Sequence, residues 1–127
     1  MGYYTWFEMD VQEHKGKYTV NDIIKYLRNS MSEHPDKFYP FRETIEDAKE
    51  DDSDASYFGM TCDESSKWYG YDRDMLELSK AFPEIVFCLH GEGSVNDDMW
   101  NHYYKNGKMQ HCKAIITYEE YDESKLG

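Results

Sequence analysis

The run Leu89–Trp100, LHGEGSVNDDMW, gathers residue types that do chemistry: one histidine, one glutamate, two aspartates and two glycines. Hard cations take oxygen ligands, so His90, Glu92, Asp97 and Asp98 are candidate ligands. Their spacing is not that of a calcium-binding loop, and no histidine recurs at i, i+4 as on a zinc-binding helix. Gly91 and Gly93 suggest a phosphate cradle, but the full GxGxxG is absent and no P-loop lysine follows. Glycines flanking an acid after an apolar run are what a turn or bulge requires. The stretch therefore reads as a connection leaving a strand.

His102 and His111 form a sharper constellation. Asn106-Gly107 stands between two strand-like runs, the signature of a two-residue hairpin turn. Such a turn fixes the register: Lys105 opposite Lys108, Tyr104 opposite Met109, Tyr103 opposite Gln110, His102 opposite His111 and Trp100 opposite Lys113. The two imidazoles then face each other with Cβ atoms about 4.5–5.5 Å apart. A transition metal would need a third ligand, and this face offers no carboxylate or thiol to supply one. No metal and no cofactor are expected. A small metal-binding enzyme using His90, His102 or His111 is the last of three functional readings.

Nucleophilic catalysis has less support. There is no GxSxG elbow and no catalytic cysteine motif. Cys62, Cys88 and Cys112 are odd in number, far apart and without a CxxC pair, which argues against a zinc knuckle and a disulfide framework. Reduced thiols in a cytosol fit best. The opening MGYYTWFEMD carries acids and no apolar run, so no signal peptide is expected. Trp6 stands where a myristoylation signal wants Ser or Thr, and no stretch approaches a membrane span. The chain reads as a non-enzyme.

The charge is the strongest compositional feature. Fourteen basic and twenty-six acidic side chains leave a net charge of −12 over 127 residues. Seven acids, Glu43, Glu46, Asp47, Glu50, Asp51, Asp52 and Asp54, crowd one short segment with a single lysine. That is too many for an acid–base pair. Such a surface repels nucleic acid and anionic membranes and attracts basic partners. With 17% aromatic and 31% charged residues the chain is folded, not disordered, and its length suits one domain.

The elements that must position these residues follow from periodicity. Tyr3, Thr5, Phe7, Met9 and Val11 alternate with polar or aromatic neighbours, the pattern of a half-buried strand. HKGK then turns. Thr19 caps a helix with Asp22 as a weak capping box, and Val20, Ile23, Ile24, Leu27 and Met31 form its apolar stripe until it frays near Ser32, ahead of Pro35. Phe38, Phe41, Ile45 and Ala48 suit a further amphipathic turn or two. ASYFGM and SKWYG are short strand candidates. Asp72 is expected to cap the next helix, with Met75, Leu78, Ser79 and Phe82 inward and Pro83 closing it. Glu84–His90 is apolar on both faces and so central in the sheet.

In the hairpin, Trp100, His102, Tyr104, Met109, His111 and Lys113 share one face and Cys112, Ala114 and Ile116 the other, which looks like core. The expected fold is α+β: a mainly antiparallel sheet with two helices on one face, a ferredoxin-like core, a C-terminal β-hairpin and an acidic insert at 38–54 within a single domain 1–127.

SSKWYGYDRDMLELSKAFPEIVFCLHGEG, Ser65–Gly93, sets a Lys-Trp before an acidic helix, then Phe-Pro, then a hydrophobic strand; a hairpin follows. In this order the stretch Trp68–Tyr118 resembles the YubB ferredoxin-like proteins of phages and mobile elements. The acidic insert has no counterpart in that pattern. The resemblance implies a fold and a phage or prophage origin, and no catalytic residues.

Tyr4 and Trp6, with Trp100, His102 and Tyr104, are expected on the sheet face away from the helices. RNA-binding sheets stack bases on such a face but flank it with cations. Only Lys105, Lys108 and Lys113 are near, so direct nucleic-acid binding is not expected. The favoured reading is an acidic phage protein that inhibits a basic, nucleic-acid-handling host defence protein by mimicry, anti-CRISPR-like, with a CRISPR effector or another defence nuclease as partner. Glu43, Glu46, Asp47, Glu50, Asp51, Asp52 and Asp54 would carry the charge, and Trp6, Trp100 and Tyr104 would anchor. A structural or housekeeping module of a mobile element is the second reading.

Overall fold

Residues 3–14, 16–95 and 98–127 are described by a computed structural model. Lys15 in the first turn and Asp97 of the opening stretch lie outside them. The elements in chain order are β1 (Thr5–His14), α1 (Val20–Glu33), α2 (Arg42–Asp47), β2 (Gly59–Thr61), α3 (Tyr71–Ala81), β3 (Ile85–Gly93), β4 (Met99–Lys105) and β5 (Lys108–Lys113). Single 3₁₀ turns lie at Tyr39–Phe41, Ala55–Tyr57 and Glu123–Lys125.

The five strands form one antiparallel sheet in the order β2-β1-β3-β4-β5. β3 is central, as its two-sided apolar sequence requires. β2 and β3 both run antiparallel to β1, flank it, and are joined through α3, a split β–α–β arrangement compatible with a ferredoxin-like core. Phe7 and Met9 of β1, Phe87 and Leu89 of β3 and Tyr104 of β4 face the helices and are all essentially inaccessible. Against them lie Ile23 and Leu27 of α1 and Met75 and Leu78 of α3, so the core is the helix-covered side of the sheet.

Local signals explain the ends of α1. Thr19 accepts a hydrogen bond from the Asp22 N–H while Asp22 receives the Thr19 N–H, a complete capping box. The helix ends at Glu33, two residues before Pro35. The α3 start differs from expectation. Its cap is Gly70, and Asp72 sits inside the first turn with its carboxylate committed elsewhere. Of the two short strand candidates, ASYFGM yields a 3₁₀ turn and β2. SKWYG contributes only the isolated bridge Ser66–Thr5, because Trp68 turns into the core.

The hairpin register is as the turn dictates. Asn106 and Gly107 both have positive φ, 47° and 78°, and His102 faces His111. The assignment of faces is reversed. Trp100, His102 and Tyr104 point under α3, with Tyr104 fully buried, whereas Ile116 is exposed and Cys112 only half-buried. The large aromatic residues outcompete Cys112, Ala114 and Ile116 for the core because they bury more apolar area.

β3 also runs further than expected, through Gly91 to Gly93, so the two glycines are in the strand and not in the turn after it. Gly91 pairs with Trp100, whose indole lies over its Cα so closely that a side chain there would overlap the ring. Glycine is needed for that approach. Gly91→Ala is therefore expected to cost about 1–3 kcal/mol, as overpacking does in cores. Urea unfolding followed by tryptophan fluorescence would show it, and an unchanged midpoint would contradict this role.

Candidate functional site

Three places bring reactive or charged side chains together. On the sheet face away from the helices, His90 sits with Nδ1 2.7 Å from Asn101 Oδ1 and Nε2 3.2 Å from the Glu92 carboxylate. Trp6 meets it edge-on at 6.2 Å, so Trp6 is on the open face as expected, half-buried, with its indole N–H donating to the Cys62 carbonyl. Asp10 and Cys88 lie opposite each other here. Burial, then Glu8, raises the Asp10 carboxyl above its usual range. Burial pushes the Cys88 thiol up to about 11 and also raises Cys62, so both stay protonated near neutrality and are poor nucleophiles. Asp98 of the opening stretch accepts from the Tyr3 hydroxyl at 2.5 Å.

Under α3, the hairpin histidines join a directed hydrogen-bond chain. Tyr104 donates its hydroxyl to Asp72 Oδ1 at 2.5 Å. His102 Nδ1 lies 2.9 Å from the Tyr104 oxygen and 3.2 Å from Asp72 Oδ1, and its Nε2 lies 2.7 Å from His111 Nδ1. The consistent assignment has His111 donating to His102, and His102 donating onward toward the carboxylate. His102 must then stay neutral to accept through Nε2. Burial also lowers its pKa, partly offset by Asp72. The chain satisfies buried polar groups, which would otherwise destabilise the fold. Asp72 is the carboxylate that the hairpin sequence alone does not offer, but it bonds the opposite ring nitrogen from His111. Among the described residues no group of three or more His, Cys, Asp and Glu side chains is placed to hold a metal ion.

The third place is the acidic segment. All seven acids from Glu43 to Asp54 are exposed, yet their backbone is held. Ser53 and Asp51 carbonyls accept the Val20 and Asn21 N–H groups at 2.9 and 3.1 Å, filling the open donors of the first α1 turn. The Asn21 side chain accepts from the Asp51 N–H at 2.7 Å and donates to Asp52 Oδ1 at 2.8 Å. Arg28, two turns along α1, donates to the carbonyls of Ile45, Glu46 and Ala48. The segment is thus a strap laid along α1. Of its acids, Glu46 lies 3.9 Å from Arg42 and Asp54 3.7 Å from His14. Among the described residues the other five have no cation within 4.0 Å. Hydrogen bonds from Ser53 and Ser56 hold Asp51 and Asp54 below the usual carboxylate range.

Between the strap and the start of α1 is a groove of about 490 Å³ floored by Val20, Ile24 and Met60 and edged by Asp47, Glu50 and Asp51. A wider cleft of about 1130 Å³ includes Arg42, Lys67 and Arg73. Each of those cations has a partner: Arg42 bonds the Pro35 carbonyl, Lys67 lies over the Tyr4 ring and Arg73 faces Asp74.

The expected aromatic anchors are split between faces. Trp100 stacks on Tyr71 at 5.2 Å and is half-buried, and Tyr104 is inaccessible, so neither lies on a face open to a partner. Sequence reasoning also missed Asp74. This buried carboxylate accepts from the Trp68 indole N–H at 2.8 Å and the Phe38 N–H at 3.2 Å, and ties the loop before the strap to α3. Its only sequence signal is an acid on the inward face of an amphipathic helix.

No family model, curated protein or solved structure matches the chain. Among the described residues no helix is long and apolar enough to cross a membrane.

The histidine chain predicts a pH dependence. A histidine with a lowered pKa favours folding in its neutral form. Its contribution is whole above the ordinary value of 6.5 and is lost as pH falls from there toward the lowered value. Urea midpoints should therefore drop between neutral and mildly acidic pH, and His102→Gln should show a smaller drop. Equal pH dependence in parent and variant would contradict the assignment.

Proposed function

We propose that the chain binds a basic surface of another protein through the acidic strap, without catalysing a reaction. The observation that carries this reading is the strap itself: seven exposed acids on a backbone held by Arg28 and Asn21. An ordered row of carboxylates, five of the seven without a cation within 4.0 Å among the described residues, produces a directed negative field, which steers association with a basic cleft. It imitates a phosphate backbone in charge.

The finer reading adds the resemblance to YubB proteins and a phage or prophage origin. The partner would then be a nucleic-acid-handling host defence protein, such as a CRISPR effector, whose access to nucleic acid the chain blocks in the bacterial cytosol. Trp6, half-buried on the open face beside His90, is the remaining candidate aromatic contact. As a housekeeping module the chain would have no need for this density of exposed negative charge.

The test is capture from a bacterial lysate by the immobilised chain. Basic nucleic-acid-binding proteins should be retained, released by salt and displaced by duplex DNA. Replacing Asp47, Glu50, Asp51 and Asp52 by Asn or Gln changes the net charge from −12 to −8 and keeps the side-chain shapes that bond Asn21 and Ser53. It should abolish capture while leaving the circular dichroism spectrum unchanged. Capture that DNA does not displace, or that survives the quadruple replacement, would contradict mimicry through the strap.

A further inference from the structure

We infer that the chain pairs with a second copy of itself through the free edge of β5 and the segment that follows it. β5 is the last strand of the sheet and has a neighbour on one side only. Lys105 and Lys108 flank a two-residue turn and so exchange backbone hydrogen bonds, and the alternation of an antiparallel ladder sets the rest. Lys108, Gln110 and Cys112 direct their N–H and C=O groups toward β4. Ala114 continues this pattern, donating to the Met99 carbonyl at 3.1 Å. Met109, His111 and Lys113 direct theirs outward, where no described residue meets them.

Folded proteins guard such edges with short strands, prolines, bulges or charged side chains, lysine above all. The opposite edge follows the rule, since β2 has three residues. The β5 edge carries Lys108 and Lys113 at its two ends but has no proline and no bulge, and it runs directly into Ala114–Tyr118, AIITY. In a chain of mean hydropathy −0.92, Ile115, Ile116 and Tyr118 are 87, 54 and 91% exposed. An unpaired ladder next to exposed β-branched and aromatic residues fits strand addition.

Charge narrows the registers in which a second copy can pair. In a two-fold antiparallel pair the outward-directed residues must meet one another, so the axis falls on a residue. An axis at Cys112 sets His111 against Lys113, and one at Lys113 sets that lysine against its own copy. Axes at Ala114 and at Ile115 both remove these conflicts, but the latter would carry the ladder to Asp122, which caps the 3₁₀ turn Glu123–Lys125, so the axis is placed at Ala114. Lys108 then faces Glu120, Gln110 faces Tyr118, Cys112 faces Ile116, and Lys113 faces Ile115. The sequence is complementary to itself in this register, as an isologous interface requires. Ala114 meets its copy at a non-hydrogen-bonded position, with Cα atoms about 4.5 Å apart, within disulfide reach.

Dimerisation and partner binding are separable by salt. Two copies of charge −12 repel at long range, so added salt should strengthen the dimer, whereas it should weaken capture of a basic protein. Sedimentation equilibrium of the full chain should show a monomer–dimer equilibrium that shifts toward dimer at higher salt. Ile116→Lys alters an exposed side chain and should weaken the dimer at least about tenfold. Ala114→Cys, made together with Cys112→Ser, should oxidise to a dimer linked through position 114, located by peptide mass mapping. A chain that stays monomeric to submillimolar concentration overturns the inference. So does a dimer indifferent to Ile116→Lys, or one not linked through position 114.

Discussion

The first turn of α1 presents backbone donors that no helical carbonyl can reach, and the way these are met organises half of the molecule. Thr19 takes one, and the carbonyls of Ser53 and Asp51 take the two before it. Asp51 and Asp52 sit at the positive end of the helix dipole, which favours them there. Arg28 then binds three carbonyls of the same segment from further along α1. A run of like charges would by itself repel and extend. Here the backbone is tied down while the carboxylates stay in solvent. The strap therefore has a fixed position on the helix side of the sheet, above β2 and the groove beside Met60.

The hairpin organises the other half. Positive φ at Asn106 and Gly107 sets the register, and the register carries Trp100, His102 and Tyr104 to one face. That face goes under α3, where Tyr71 stacks on Trp100 and Asp72 receives Tyr104. Ser79 accepts the Gly107 N–H at 2.8 Å, so the hairpin tip is bound to α3 as well. Polar groups buried in this way must all be paired, and the chain His111–His102–Tyr104–Asp72 pairs them. His102 is thereby held in place by the packing under α3. The same packing commits two of the three expected aromatic anchors to the core and leaves Trp6 on the open face.

Much of this was legible in the sequence, and the failures share a cause. Local rules sufficed for the Thr19–Asp22 capping box, the apolar stripe of α1, the central β3 and the hairpin register, each dictated by neighbouring residues. The choice of hairpin face was not legible. Both faces carry apolar residues, and the decision depends on α3, which is distant in sequence and supplies Tyr71 and Asp72. The role of Gly91 was hidden for the same reason, because the ring above it belongs to another strand. Asp74 shows in the sequence only as an acid on the inward face of α3, and its role emerges when Trp68 and Phe38 are brought to it. The acidic run was visible at once, but not its attachment to α1, since Arg28 and Asn21 belong to a separate helix with a 3₁₀ turn between it and the run.

Arg28 allows the ordered strap to be distinguished from bulk charge. Replacing it with methionine removes one positive charge, taking the net charge from −12 to −13, and releases the strap from α1. If net charge alone governs association, the variant should bind its basic partner faster. If the fixed arrangement of carboxylates governs it, the variant should bind more slowly despite the added negative charge. The decisive measurement is the stopped-flow association rate with the captured partner at low salt, parent against Arg28→Met. A slower rate is the result this account expects; an equal or faster one would contradict it.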